Sequence, residues 1–358
     1  MTESKPSLSF DRRTLLGAAA IAAVGAVGVG GFLFSENALG PWRLTARRVA
    51  DRLQEAAGGD FHGRRRNHAK GVAVAGYFES TGHGAELSSA SVFGTGTYRV
   101  EGRFSLAGGN AHMPDDLTAP RGLGLRFLLP GGEEWRTAMI NTPVFLDATP
   151  DDFYTRTLAF APDPATGQPD PERMKAHLAT HPETAAALGM IEQGPHAPSF
   201  RDSTFYGLNA FEFTNAAGDT VPVRWQLEPD APQPTPPKDE GPNKLFDALI
   251  SDVRGGPLRW KLILVVGVAG TDPTDNATQR WPQERPRVHV GTVVIDEVRT
   301  EDVGNVQDVN FDPLVLPRGI APSDDPLLQA RSAVYTESYR RRAGEQRAPA
   351  ALRVEDVR

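Results

Sequence analysis

The hydrophobic positions of this chain change texture three times. From Thr14 to Phe34 they form an unbroken run of Ala, Gly, Val, Leu, Ile and Phe. From Trp42 to Ala57 they recur at helical spacing. Leu44, Val49 and Leu53 fall near one face, and Arg43, Arg47, Arg48, Asp51 and Arg52 fall mainly on the other, which predicts an amphipathic packing helix. From Gly71 onward short β-like runs take over: 72–78, 97–104, 123–127, 137–146, 210–214, 221–227, 262–268 and 288–297. Turn residues separate them, as in Pro130-Gly131-Gly132 and Asn215-Ala216-Ala217-Gly218-Asp219. Eight such runs predict an antiparallel barrel or sandwich. Helical patterns interrupt them at Asp170–Leu188 and Asn243–Val253. A last helix is expected from Asp324 to Ala343, with Asp and Pro at its start and Arg340-Arg341-Arg342 then Gly344 at its end. The proline-rich stretch Pro229–Pro242 reads as a surface linker inside the domain.

Composition sharpens this. The 36 Gly and 30 Pro of the 358 residues suit a β-rich, loop-rich domain better than a helical bundle. A net charge of −7 argues against a nucleic-acid partner, which needs a basic surface to neutralise phosphates. With no cysteine, disulfides, thiolate metal sites and cysteine nucleophiles are excluded.

Residues 1–36 read as an export segment, leaving 37–358 as one domain. Arg12-Arg13 stand ahead of the long apolar run, and Asp11-Arg12-Arg13-Thr14-Leu15-Leu16 resembles a twin-arginine signal. The run is longer than a secretory core of ~7–15 residues and close to the ~20 residues of a membrane span. No clean A-x-A site follows, so a cleaved signal and an uncleaved anchor both fit. Either way the expected location is the periplasm, with membrane contact only through this segment.

Candidate chemistry lies in three places. Arg331 and Tyr335 are i and i+4 on the last helix and share a face. A guanidinium beside a phenol favours the phenolate, a good ligand for ferric iron. Such pairs are nevertheless common on ordinary helices. Arg65-Arg66-Asn67-His68-Ala69-Lys70-Gly71 precedes a strand, where a histidine is more often a strand-end residue than a catalyst. Arg103-Phe104-Ser105 lies within a strand. His83, His112 and His289 have no metal-ligand partner at useful spacing, and Trp225, Trp260 and Trp281 read as core or interface residues.

Taken together these segments resemble one family. Arg65-x-x-His68-Ala69-Lys70-Gly71 followed by Gly76-Tyr77-Phe78-Glu79-Ser80-Thr81 is similar to the catalase motif R-x-x-H-A-K-G…G-Y-F-E-x-T. Arg103-Phe104-Ser105 resembles the family's V-R-F-S strand, Pro120-Arg121-Gly122 its D-P-R-G turn, and Asn141-Thr142-Pro143-Val144-Phe145 its N-T-P-x-F segment. Phe311-Asp312-Pro313 through Pro317-Arg318-Gly319-Ile320 and Arg331-x-x-x-Tyr335-x-x-x-Tyr339-Arg340-Arg341-Arg342 complete the series in order. The arms of full-length catalases have no counterpart here, so the likeness is to the minimal, catalase-related peroxidase branch.

The resemblance implies an α+β fold: an eight-stranded antiparallel β-barrel with surrounding helices and haem b buried beside it. It implies His68 as the acid–base over the iron, Ser105 as the group fixing its tautomer, and Tyr335 as the iron ligand with Arg331 beside it. It implies Arg65, Arg103 and Arg342 as propionate partners, and Phe145 and Phe153 as pocket walls. The expected activity is reduction of organic hydroperoxides and hydrogen peroxide by an external donor. Ile140 stands where full catalases carry a catalytic asparagine. On a continuous strand Asn141 would face the other way, which leaves the pocket apolar and disproportionation weak. Tyr339 replaces a histidine and reads as outer packing. Two other readings stay open: a hydroperoxide-rearranging haem enzyme of the same fold, and an exported haem-binding protein without turnover. A monomer or homodimer is expected.

Overall fold

The computed structural model describes residues 43–58, 61–163, 165–232, 241–302 and 304–357, and the unit Ala46–Arg358 is the subject below. The predicted export segment and most of the proline-rich linker lie outside the described residues. Ten strands run in order: β1 Gly71–Ser80, β2 Gly96–Leu106, β3 Arg121–Leu128, β4 Glu134–Ile140, β5 Phe205–Tyr206, β6 Phe211–Thr214, β7 Thr220–Pro229, β8 Leu258–Val266, β9 Arg287–Arg299 and β10 Ile320–Pro322. Helices are α1 Ala46–Ala57, α2 Pro150–Ala159, α3 Pro171–Thr180, α4 Pro182–Gln193, α5 Lys244–Gly255 and α6 Pro326–Ala343. Every strand pairing is antiparallel. The sheet runs β7-β5-β4-β3-β2-β1-β9-β8 and closes through a β7–β8 pairing, so eight strands form a barrel. β6 and β10 extend from β7 outside that ring.

The eight-stranded barrel is the one expected, but one member differs. The run 210–214 became β6, on the flap, and the eighth stave is β5, two residues that bridge β4 and β7. A two-residue strand has no periodicity to read. The expected strand 137–146 is shifted: β4 starts at Glu134 and ends at Ile140. Pro143 has no N–H and restricts Thr142, so the ladder stops ahead of it. The helical pattern at 170–188 is two helices, because Pro182 cannot continue α3 and instead takes the first turn of α4. Helix α2 was not anticipated, although Thr149 and Asp152 form a reciprocal capping box and Pro150 opens the helix.

The barrel interior is aromatic. Phe78, Phe104, Phe127, Trp135, Trp225 and Trp260 are all nearly or fully buried in one cluster. Phe127 stacks on Trp135 with centroids 4.8 Å apart, and Trp135 meets Trp225 edge-on at 5.1 Å. The indoles of Trp225 and Trp260 donate to Thr137 Oγ1 and Ser203 O. Trp225 and Trp260 are thus core residues, as the sequence suggested. Helix α5 is tied to the barrel by Asp115. One carboxylate oxygen accepts from the Leu245 and Phe246 amides, and the other takes Lys70 Nζ at 2.7 Å.

Candidate functional site

Because strand side chains alternate, β1 to β4 present two unlike surfaces. Inward they carry Val72, Val74, Phe104, Leu106, Leu123, Leu125, Trp135 and Met139. Outward they carry Ala73, Arg103, Ser105, Gly122, Gly124, Ala138 and Ile140. The outer wall is therefore shallow, with two polar side chains adjoining. A Cβ built on Gly122 would lie 2.8 Å from Ser105 Oγ and 2.9 Å from His68 Nδ1. One built on Gly124 would lie 2.9 Å from the Phe311 ring. Only glycine leaves room for the groups lying against this wall.

His68 enters from the segment ahead of β1. Its backbone is left-handed, with φ 54, a conformation rare outside glycine. Several bonds hold it there. Asn67 Oδ1 accepts from the amides of His68 and Gly108, each at 2.9 Å. Arg103 Nη1 donates to His68 O at 2.6 Å, and Nη2 donates to Ala69 O at 3.0 Å. The ring is fixed from the same strand, with His68 Nδ1 3.1 Å from Ser105 Oγ. Residues 103 and 105 share the outer face of β2, so one grips the backbone and the other the imidazole. Burial, then the positive charges of Arg103, Arg65 and Arg331, push the His68 pKa down to about 4. The imidazole is neutral at physiological pH, the state a base requires.

The tyrosine side is built by α6, capped by buried Asp325. Tyr335 packs against Ala73, Val306, Val309, Phe311 and Ala138, on the outer side of β1 and β4. Arg331 donates to Ala138 O at 3.0 Å and to Asn209 Oδ1. Asn209 Nδ2 in turn donates to Asp325 Oδ2 at 2.7 Å. A chain Arg331–Asn209–Asp325 thus anchors the helix turn ahead of Tyr335. Asp325 was visible in the sequence as a helix start; nothing there pointed to Asn209.

The three arginines expected at an anionic group converge. Arg65 Nη2 donates to the carbonyls of Val306 and Val309, and Arg342 Nη2 shares Val309 O. Burial and mutual repulsion lower Arg65 well below its ordinary value and Arg342 to about 10, partly offset by Glu301. Glu301 itself forks onto Arg103, at 2.6 Å to Nε and 3.0 Å to Nη2. Glu301 stands in the loop after β9, without a sequence pattern to mark it. The three guanidiniums lie mostly buried and repel one another, with Glu301 and Asp308 only partly offsetting them, a setting that an anionic group such as a propionate suits. The small-residue wall suits a flat ring, and the phenol of Tyr335 suits ferric iron. The residues present fit a haem.

Phe145 belongs to a separate apolar cluster with Ile140, Tyr206, Leu208, Ala277 and Leu327. Phe153 stacks on Phe145 with centroids 6.1 Å apart. Asn141 lies beyond the end of β4, so strict alternation does not reach it. Its side-chain oxygen accepts the Arg121 amide at 2.7 Å, a bond that ties it to the start of β3. Tyr339 lies with its ring 4.6 Å from the Arg342 guanidinium, a cation–π contact beside the arginine cluster. No group of metal-binding side chains of the His/Cys/Asp/Glu kind occurs among the described residues.

Known proteins are similar to this chain in sequence and in fold. The family model described as Catalase matches residues 49–245 and 267–350. A catalase-related peroxidase of Synechococcus elongatus is 38% identical over 308 residues, covering 82% of this chain and 88% of that protein. One from Mycolicibacterium paratuberculosis is 32% identical, covering 85% and 96%. The catalase of Rattus norvegicus is 28% identical and covers 77% of this chain, but the match spans only 56% of the rat protein. Among solved structures, catalase A from Saccharomyces cerevisiae superposes with a TM-score of 0.71 at 22% identity, over 85% of this chain and 66% of that one.

Proposed function

Because the chain belongs to the catalase family and is an oxidoreductase acting on peroxide, we propose that it is a haem b peroxidase. It reduces organic hydroperoxides and hydrogen peroxide with an external electron donor, and disproportionates hydrogen peroxide weakly. The observation that carries this reading is a neutral His68 held by Ser105 beside an outer wall that ends in the apolar Ile140, itself in one cluster with Phe145.

Bound haem would supply the redox-active iron at which the peroxide O–O bond is cleaved. His68 does the proton work. With Nδ1–H donating to Ser105 Oγ, Nε2 keeps its lone pair. It takes the proton of the near peroxide oxygen and returns it to the far one, which leaves as water or alcohol. The Tyr335 oxygen would hold the iron, with Arg331 anchoring the helix turn that carries it. Arg65 and Arg342 would pair with the propionates. Arg103, expected to do the same, is already engaged by Glu301 and the His68–Ala69 carbonyls. Ile140 offers no hydrogen bond that would orient a second peroxide, so this chain's own residues favour an outside donor over disproportionation.

Stopped-flow turnover with cumene hydroperoxide and a reducing dye, beside oxygen evolution from hydrogen peroxide, tests this. The expected result is dye oxidation exceeding oxygen release. Fast oxygen release would refute the peroxidase assignment. Consumption of a fatty-acid hydroperoxide without any donor would favour rearrangement, which the Ile140–Phe145 cluster also suits.

Periplasmic export is part of the proposal and rests on Arg12-Arg13 and the run Thr14–Phe34. Among the described residues, no helix is long and apolar enough to cross a membrane.

A further inference from the structure

Arg103 is almost fully buried, at 3% exposure, yet the carboxylate that faces it does not come from the strand wall. It comes from Glu301, in the loop following β9, whose side chain is 13% exposed. The guanidinium has five N–H donors. Nε–H and one Nη2–H go to Glu301, the other Nη2–H to Ala69 O, and one Nη1–H to His68 O. A single N–H is left over. The guanidinium lies so close over β1 that a Cβ on Gly71 would sit 2.4 Å from Arg103 Cζ. Its orientation is thus set from below by Gly71 and from the side by Glu301, and its remaining reach is spent on the two carbonyls of the left-handed turn. That turn is costly for a non-glycine residue and persists only where surroundings enforce it.

We propose that Glu301 is a positioning residue for the peroxide reaction: by clamping Arg103, it holds that arginine as the brace of the His68 backbone. This rests on the peroxidase reading of the same site. Ser105 fixes the ring's rotation and Arg103 fixes where the ring stands; without the Glu301 fork, the guanidinium is free to turn toward the unbalanced charge of a bound anion.

The test uses the full-length chain with Glu301→Gln, which keeps one acceptor and the side-chain volume, and Glu301→Ala, which keeps neither. Hydrogen exchange of the segment 67–71 reports the brace directly. It should quicken about tenfold in the alanine variant, the factor expected for losing one charge-assisted hydrogen bond, and less in the glutamine variant. In the haem-loaded protein, cyanide affinity and the rate of reaction with peroxide should fall about tenfold, as for loss of an outer partner of a site residue. Haem content should be unchanged, because Arg65 and Arg342 remain. Unchanged exchange at 67–71 in both variants would overturn the proposal. So would altered haem retention with an undisturbed segment, which would place the effect of Glu301 on haem binding instead of on the His68 backbone. A wild-type chain that takes up no haem would instead sink the peroxidase reading, while the exchange measurement still judges the brace.

Discussion

The two faces of strands β1 to β4 are made from the same stretches of chain and follow opposite rules. Inside, Phe104, Leu123, Leu125 and Trp135 fill volume. Outside, one residue along, Arg103, Ser105, Gly122 and Gly124 keep space open and place donors around His68. The inner face stabilises the barrel by burying apolar area. The outer face instead accepts costs, namely a left-handed histidine held by Asn67 and Arg103 and three crowded arginines that Glu301 only partly offsets. Stability and chemistry are therefore separable by single substitutions one residue apart.

The largest expected effect is on the outer face. His68→Ala should lower the rate of reaction with peroxide by roughly 10²–10⁴-fold, the usual contribution of a positioned acid–base, while thermal stability and haem content hold. Stopped-flow absorbance and calorimetry check both halves. Phe104→Ala, on the inner face beside Arg103 and Ser105, should do the reverse. Its fully buried ring meets Phe200, Phe205 and Trp260, so unfolding free energy should drop by about 3–5 kcal/mol in urea titration, with the rate per folded molecule nearly unchanged. Gly122→Ala sits between them. The new methyl would press on Ser105 Oγ and His68 Nδ1 and displace the ring, slowing the peroxide reaction about tenfold, while the melting temperature moves little.

Much of this was legible before any coordinates. Period-two alternation exposed seven of the barrel's staves, because each is long enough to show which side chains go inward. β5 escaped since two residues carry no period, and β6 was mistaken for a stave since a flap strand alternates like any other. His68, Ser105, Arg331 and Tyr335 could be named because their order along the chain matches a family. Asn209 and Glu301 could not. Each acts through a loop whose sequence encodes no spacing, and their partners are 122 and 198 residues away. Long-range hydrogen bonds of this kind are products of the fold, invisible in the local pattern.

The smallest effect separates the faces by pH. His68 titrates at about 4, below its ordinary 6.5, because burial and nearby arginines disfavour the imidazolium. Above that value the base is free, so the peroxide rate should stay flat between about pH 5 and 8 and fall as pH drops through about 4. The same shift makes the folded state lose stability as pH falls from about 6.5 to about 4, where the unfolded chain binds a proton that the folded one refuses. In Ser105→Ala the fall in rate should move with the ring. In Phe104→Ala it should not.

A haem at the outer wall would have Tyr335 as its iron ligand. The visible spectrum of the purified full chain reconstituted with haem, compared between wild type and Tyr335→Phe, tests it most directly. The expected result is a high-spin ferric spectrum with tyrosinate character that is lost in the variant. An unchanged spectrum in Tyr335→Phe, or a wild-type chain that takes up no haem, would contradict it.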